Sequence, residues 1–272
     1  MRFRSTLVAV ALAVLPLAML AQRPAPLIDE HDYPGTFSIL GVDPVTGDIG
    51  GAVQSCVFSV NGVLWAEEGV GAVATQAIVD VSYGPQGLEL LRKGMAPKDI
   101  IKTIWERDPD PRPATGPAQN QRNWTKHGRQ FAVINAKGEM AAFTGPRADP
   151  WAGDKQGKFC TAQGNILAGQ AVVDNMVSAF ESSEKREDGQ RNHLAFRFLA
   201  ALEAGQAAGG DTRCQRSASL LIVRKNGGPW VNNDVVLHLK VDDNPEPIKE
   251  LRRLVQASPQ GRSGRRGGGA GR

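Results

Sequence analysis

Histidine, cysteine and long apolar runs are all scarce in this chain, and each shortage removes a class of function. The four histidines, His31, His127, His193 and His238, fall in a linker, a loop, a predicted helix and a predicted strand, with no shared spacing. They form no metal-ligand cluster and no serine–histidine–aspartate pattern beside a nucleophile elbow. Gly69-Val70-Gly71 lacks the strand-then-helix context of a dinucleotide loop, and there is no phosphate-binding loop, so no cofactor is expected. The three cysteines, Cys56, Cys160 and Cys214, have neither a zinc spacing nor a redox-pair spacing. Their odd number allows at most one disulfide and leaves its pairing open; three small buried residues are the other reading.

Only Leu7–Leu20 approaches a long apolar run. It follows Arg2 and Arg4, is broken by Pro16, and is short for a membrane span. Residues 1–21 therefore read as a signal peptide, which predicts export to the periplasm or beyond. Residues 22–35 carry three prolines and read as a linker or propeptide, and 257–272 as a disordered Gly- and Arg-rich tail. Arg262, Arg265, Arg266 and Arg272 in that tail match the formal net charge of +4, because signal and linker cancel and the 36–256 body is neutral. The basic character belongs to the ends. No nucleic-acid partner is expected of the body, and the tail suits an anionic envelope or open solvent.

The body itself alternates strands with helices. Residues 36–43 and 49–57 are apolar runs joined by Asp43-Pro44-Val45-Thr46-Gly47-Asp48, turn chemistry that predicts a hairpin. A strand at 70–77 precedes helices at 83–93 and 95–106, each with proline near its start. A polar, proline-rich loop is expected over 108–128, then a hairpin of 130–135 and 139–144 and a strand at 159–164. Helices follow at 171–184 and 193–204, the second stopped by Gly205. Strands at 217–224 and 235–241 and a helix at 246–255 complete the order. This is an α+β pattern: two antiparallel sheets packed face to face with helices outside.

The junction Gly35-Thr36 opens the first strand. A threonine at the head of a strand becomes a nucleophile once the preceding peptide bond is cut, because the new α-amine sits on the same residue as the hydroxyl and can act as its base. Gly35 suits such a cut, since a residue without a side chain permits the tight approach of hydroxyl and carbonyl.

Several segments together resemble the bacterial family called domain of unknown function 1028: TFSILGVDPVTGDIGGAV, GVGAVATQA with SYGPQGLELLRKG, AAFTGPRADPWAG, AQGNILAG, LEAGQAAGGDTRCQRSASLLIV and VDDNPEPIKELRRL. The resemblance runs from Thr36 to about Leu254. It implies the N-terminal-nucleophile (Ntn) hydrolase fold, a four-layer αββα sandwich, with Thr36 at the nucleophile position. Some relatives carry a peptidoglycan-binding module, which implies a small-molecule or peptide substrate, an amide of the cell wall or of a peptide. This chain has no such module, and both cell-wall association and self-association stay open.

Acyl transfer also needs oxyanion donors and groups that orient the amine. On the implied fold, Asn165 and the backbone near Thr75 and Gln76 would donate to the oxyanion. Asp211, Arg213, Arg216 and Ser217, at the turn into a strand, would orient the amine and bind a carboxylate. Each also fits a plain role: Asn165 and Asp211 as turn residues, Thr75 and Gln76 as strand positions. Trp151 would line a pocket or anchor a loop. Between Thr36 and Leu91 there is no lysine or arginine, unlike proteasome-type threonine enzymes, so a cation at the site must come from far along the chain. The main alternative is a non-catalytic envelope binding or assembly protein. Cys56 as nucleophile is poorly supported, with no helix start or cation beside it.

Overall fold

The computed structural model describes residues 35–110 and 125–260. The expected signal peptide, the expected linker before Gly35, part of the expected long loop and the expected tail from residue 261 lie outside the described residues. Asp43 sets the first turn: its Oδ1 accepts from the backbone N–H of Val45 at 2.9 Å and of Thr46 at 3.3 Å, an Asx turn. The turn joins β1 (Thr36–Val42) to β2 (Ile49–Ser55), and both strands are buried along their whole length.

The chain continues through β3 (Leu64–Glu67) and β4 (Gly71–Ala77), then α1 (Tyr83–Arg92) and α2 (Pro97–Arg107). Next come β5 (Arg129–Asn135), β6 (Met140–Thr144), β7 (Gly153–Gly157) and β8 (Cys160–Asn165). Helices α3 (Ala171–Ser182) and α4 (Leu194–Ala207), strands β9 (Ser217–Val223) and β10 (Val235–Val241), and helix α5 (Pro247–Ala257) complete it. The fold is mixed α+β, with two antiparallel sheets and five helices among the described residues. The six-stranded sheet runs β10-β9-β2-β1-β8-β7 and the four-stranded sheet β3-β4-β5-β6.

Alternation along each strand divides the core. Phe37, Ile39, Ala162, Leu220 and Ile222 turn to one face of the six-stranded sheet, where they pack with Met176, Phe180, Phe198 and Leu251 of α3, α4 and α5. Leu40, Val42, Ile49 and Leu221 turn to the opposite face and meet Ala72, Ala74, Ala132 and Ile134 of the four-stranded sheet. Val73, Phe131 and Val133 lie against Leu88, Leu91, Ile100 and Ile104 of α1 and α2. Each large side chain fully buried in these clusters contributes about 1.5–3 kcal/mol.

Several expectations need correction. Strands β3 and β7 were not foreseen: Leu-Trp-Ala-Glu is four residues long, and Gly-Asp-Lys-Gln-Gly is polar because it is an edge strand. Gly205 does not stop its helix. It lies inside α4, where a Cβ would come within 2.8 Å of Met176, so the glycine serves close helix packing. The expected tail begins too early, since Ala257 still belongs to α5. Cys56 and Cys214 form a disulfide, and Cys160 is free and buried, its thiol pushed up to about 12 by burial and by the charge of Glu181. Trp151 packs, half-buried, against the core beneath α3 and α4, the anchoring role.

His193 caps α4, its Nδ1 accepting from the Ala195 N–H at 3.2 Å, a bond that only the neutral imidazole makes. Burial lowers its pKa, and Arg224 adds to the effect while Asp48 and Asp43 oppose it. A lowered folded-state pKa means that this stability is fully present above the unfolded value of about 6.5 and is lost as pH falls below it. Urea midpoints measured between pH 8 and 5 should therefore decline below about 6.5, and His193→Asn, which keeps a capping acceptor, should flatten that decline.

Candidate functional site

β1 runs between β2 and β8, and the two registers decide what flanks its first residue. Thr36 is opposite Ser55 on β2 and opposite Asn165 on β8, and Ser55 is in turn opposite Ser217 on β9. The four residues make one polar row across the end of the six-stranded sheet, on the face toward the four-stranded sheet, and all four are buried. The layer between the sheets is thus apolar at one end, around Leu40 and Val42, and polar at the other.

One step in from the row, amides connect the two sheets. The Ser38 hydroxyl donates to Gln76 Oε1 at 2.5 Å and accepts from Gln163 Nε2 at 2.6 Å. Gln76 Nε2 lies 2.8 Å from Gln130 Oε1 and 3.2 Å from the carbonyls of both Thr36 and Gln163. Gln130 Nε2 donates to the Gly164 carbonyl at 2.8 Å and to Thr144 Oγ1 at 2.9 Å. Buried amides are tolerated only when so fully paired.

Gly35, just before the row, has a carbonyl held by two side chains. Its oxygen accepts from Ser55 Oγ at 2.5 Å and from Arg213 Nη2 at 2.8 Å. The Thr36 hydroxyl donates to Ser55 Oγ at 3.1 Å, so a hydroxyl chain runs from Thr36 through Ser55 to the carbonyl that precedes Thr36. Arg213 is held by Asp211: its backbone N–H and Nε both donate to Oδ1 at 3.0 Å, and Nη2 donates to Oδ2 at 2.6 Å. The Asp211 carboxylate is fully buried, and this bidentate fork fixes the guanidinium plane. The disulfide joins Cys56 and Cys214, the residues directly after Ser55 and Arg213, so it ties the two donors' segments together.

Two backbone positions beside the row are strained. Ala77, after Gln76, has φ 61°, and Ile166, after Asn165, has φ 56°. A β-branched residue in the left-handed region is rare, and such positions cost about 1–3 kcal/mol each and cluster at functional sites. Backbone bonds hold Ile166: its N–H donates to Asp149 and its carbonyl accepts from the Thr212 N–H, both at 3.0 Å.

Of the residues singled out in the sequence, Thr36, Asn165, Gln76 and Ser217 are brought to the same end of the inter-sheet layer, and Asp211 reaches it through Arg213. Ser217 is committed to the chain beside it, donating to the Val57 carbonyl at 2.8 Å. Thr75 is not brought in. Its backbone N–H, the donor expected of it, goes to the Val63 carbonyl at 3.0 Å, and alternation puts its side chain, opposite Phe131, on the other face from Gln76, beneath the helices. Arg216 is not brought in either; its Nε donates to Asp243 at 2.8 Å and its guanidinium lies over Phe58. The cation from far along the chain is Arg213. Ser55, Gln130 and Gln163 went unnoticed in the sequence, although the hairpin register alone puts Ser55 opposite Thr36.

These features define a two-sheet α+β protein whose site is a paired, buried polar row at the head of a central strand. Residues 36–251 match the model of a family of unknown function, domain of unknown function 1028, and the chain belongs to that family. It is also similar to the crystal structure of protein SPO2555 from Silicibacter pomeroyi, which carries the same family assignment. The two share 28% identity and a TM-score of 0.67, over 83% of this chain and 88% of that one. No curated protein matches the sequence.

Gln76 is the hinge of the amide network. Gln76→Ala takes the acceptor from the buried Ser38 O–H and the donor from Gln130 Oε1, each loss worth about 1–3 kcal/mol. Chemical denaturation should show a loss of at least about 2 kcal/mol with little change in m-value.

Proposed function

We propose that this chain is the precursor of an exported N-terminal-nucleophile amidohydrolase that cuts itself at Gly35–Thr36 and then acts on a peptide or cell-wall-derived amide. The sheets meeting across one core, with helices against the outer face of each, support the four-layer αββα arrangement of that class. The observation that carries the proposal is the Gly35 carbonyl, held by a hydroxyl and a guanidinium beside a threonine hydroxyl. Two donors on one carbonyl oxygen are what an oxyanion needs, and a cationic donor makes the stronger bond.

In the self-cut, Thr36 Oγ1 attacks the Gly35 carbonyl carbon. The hydroxyl proton passes to Ser55 Oγ, and the Ser55 proton passes to the carbonyl oxygen that it already contacts. On collapse the C–N bond breaks, the proton on that oxygen passes to the Thr36 nitrogen as the C=O re-forms, and the acyl group is left on Oγ1. Water then hydrolyses the ester, leaving Thr36 with its hydroxyl and a free α-amine. That amine has an ordinary pKa of about 7.7–8.0, suited to act as base near neutral pH. A guanidinium close by disfavours its protonated form. In turnover, the same donors would serve the substrate carbonyl, with Asn165 beside Thr36 as a further candidate.

An acylating probe directed at N-terminal threonine tests this reading. It should label the exported wild-type chain at residue 36. Thr36→Ala should abolish labelling, and Arg213→Ala should slow it by about 100–1,000-fold, the usual cost of one oxyanion donor. Wild-type protein that stays unlabelled with residues 22–35 attached would instead support a non-catalytic envelope binding or assembly protein.

A further inference from the structure

We propose that the site accepts only a glycyl acyl group, so that its substrate is an amide whose carbonyl carbon carries an unsubstituted CH2. This rests on the amidohydrolase reading and goes beyond it by naming what stands on the acyl side of the scissile bond.

Gly35 occupies the position of that acyl group, because its carbonyl sits on the two donors. A Cβ built on Gly35 would lie 2.6 Å from Arg213 Nη2, 2.8 Å from Cζ and 2.9 Å from Nε. All three are guanidinium atoms. An arginine tip normally swings aside at little cost, but this one is fixed by two guanidinium bonds to the Asp211 carboxylate, from Nε and Nη2, and is itself largely buried. To admit a methyl group, the guanidinium must leave both the fully buried carboxylate and the carbonyl that it polarises. The same group that stabilises the oxyanion therefore excludes a side chain.

The guanidinium has a second feature suited to this ligand. Its Nε and Nη2 edge is taken by Asp211, while its outer edge, Nη1 and Nη2, uses Nη2 on Gly35 and leaves Nη1 buried without a hydrogen-bond partner among the described residues. A carbonyl has one oxygen to offer that edge. The carboxylate produced by hydrolysis has two, in the spacing that the planar fork matches. Arg213 thus holds a glycyl carbonyl with one donor and a glycine carboxylate with two.

The reaction balances with water alone. Thr36 Oγ1 bonds to the glycyl carbon, the amide C–N bond breaks, and the hydroxyl proton leaves through the Thr36 amine on the departing nitrogen. Water then adds to the ester carbon, the C–Oγ1 bond breaks, and one water proton returns to Thr36. The products are an amine and a glycine carboxylate.

Two measurements test the assignment. The first compares self-processing of the full chain with that of Gly35→Ala by intact mass over time. The second uses a full chain with a specific protease site ending at residue 35, cut to expose Thr36. Binding of the tripeptide acids Tyr-Pro-Gly and Tyr-Pro-Ala is then measured by calorimetry, alongside hydrolysis of the matching anilides. Processing at least tenfold slower in Gly35→Ala, and binding at least tenfold tighter for the glycine acid, are expected. Equal processing or equal binding overturns the glycyl assignment and leaves the hydrolase reading standing. Tight, glycine-selective binding without hydrolysis of either anilide overturns the hydrolase reading and supports the glycyl subsite.

Discussion

Every other part of this molecule takes its place from the burial of β1 between β2 and β8. All seven of its residues are covered, with α3 and α4 on one face and the four-stranded sheet on the other. A central strand paired on both edges has no freedom to slip, because a shift of one residue would exchange Phe37 and Ile39 with Ser38 and Leu40 and put polar groups among the helices. Thr36 is therefore fixed opposite Ser55 and Asn165 by the whole core, not by local contacts. The precision of the row comes from packing at a distance.

The polar end of the inter-sheet layer carries a cost that the apolar end does not. Ser38, Gln76, Gln130 and Gln163 bury amide and hydroxyl groups where leucine or valine would fit, and they add stability only because they pair with one another and with strand carbonyls. Strained residues at Ala77 and Ile166 close the same end of β4 and β8. Unfavourable backbone and a buried amide network next to a doubly held carbonyl are hard to account for as structural economy alone. They fit a region organised around the Gly35–Thr36 bond. The disulfide adds a covalent tie at the same place, one residue beyond each of the two donors.

Much of the fold was legible in the sequence because its signals are local. The Asp43-Pro44 turn, the prolines that open α1 and α2, and the short apolar runs of β1, β2 and β9 each predict their own element. What escaped were elements whose partners are distant. β7 is polar because an edge strand need not be apolar, and Gly205 looks like a helix stop until Met176 is seen against it. The site divides in the same way. Thr36, Gln76 and Asn165 stand out at strand ends, and Ser55 follows from the hairpin register. Gln163 gains meaning only from the order β1-β8, which no local signal carries. Arg213 and Arg216 could not be told apart in the sequence, because three residues at a turn decide which one faces inward, and it is Asp211 that selects Arg213.

The proposed chemistry depends on one peptide bond. Intact-mass and N-terminal analysis of the protein recovered from its host therefore tests it most directly. The prediction is a mature chain beginning at Thr36, with residues 22–35 lost in a second cut after the signal peptide. A mature chain that begins anywhere upstream of Thr36 would contradict it, because the hydroxyl would then have no amine of its own to serve as base.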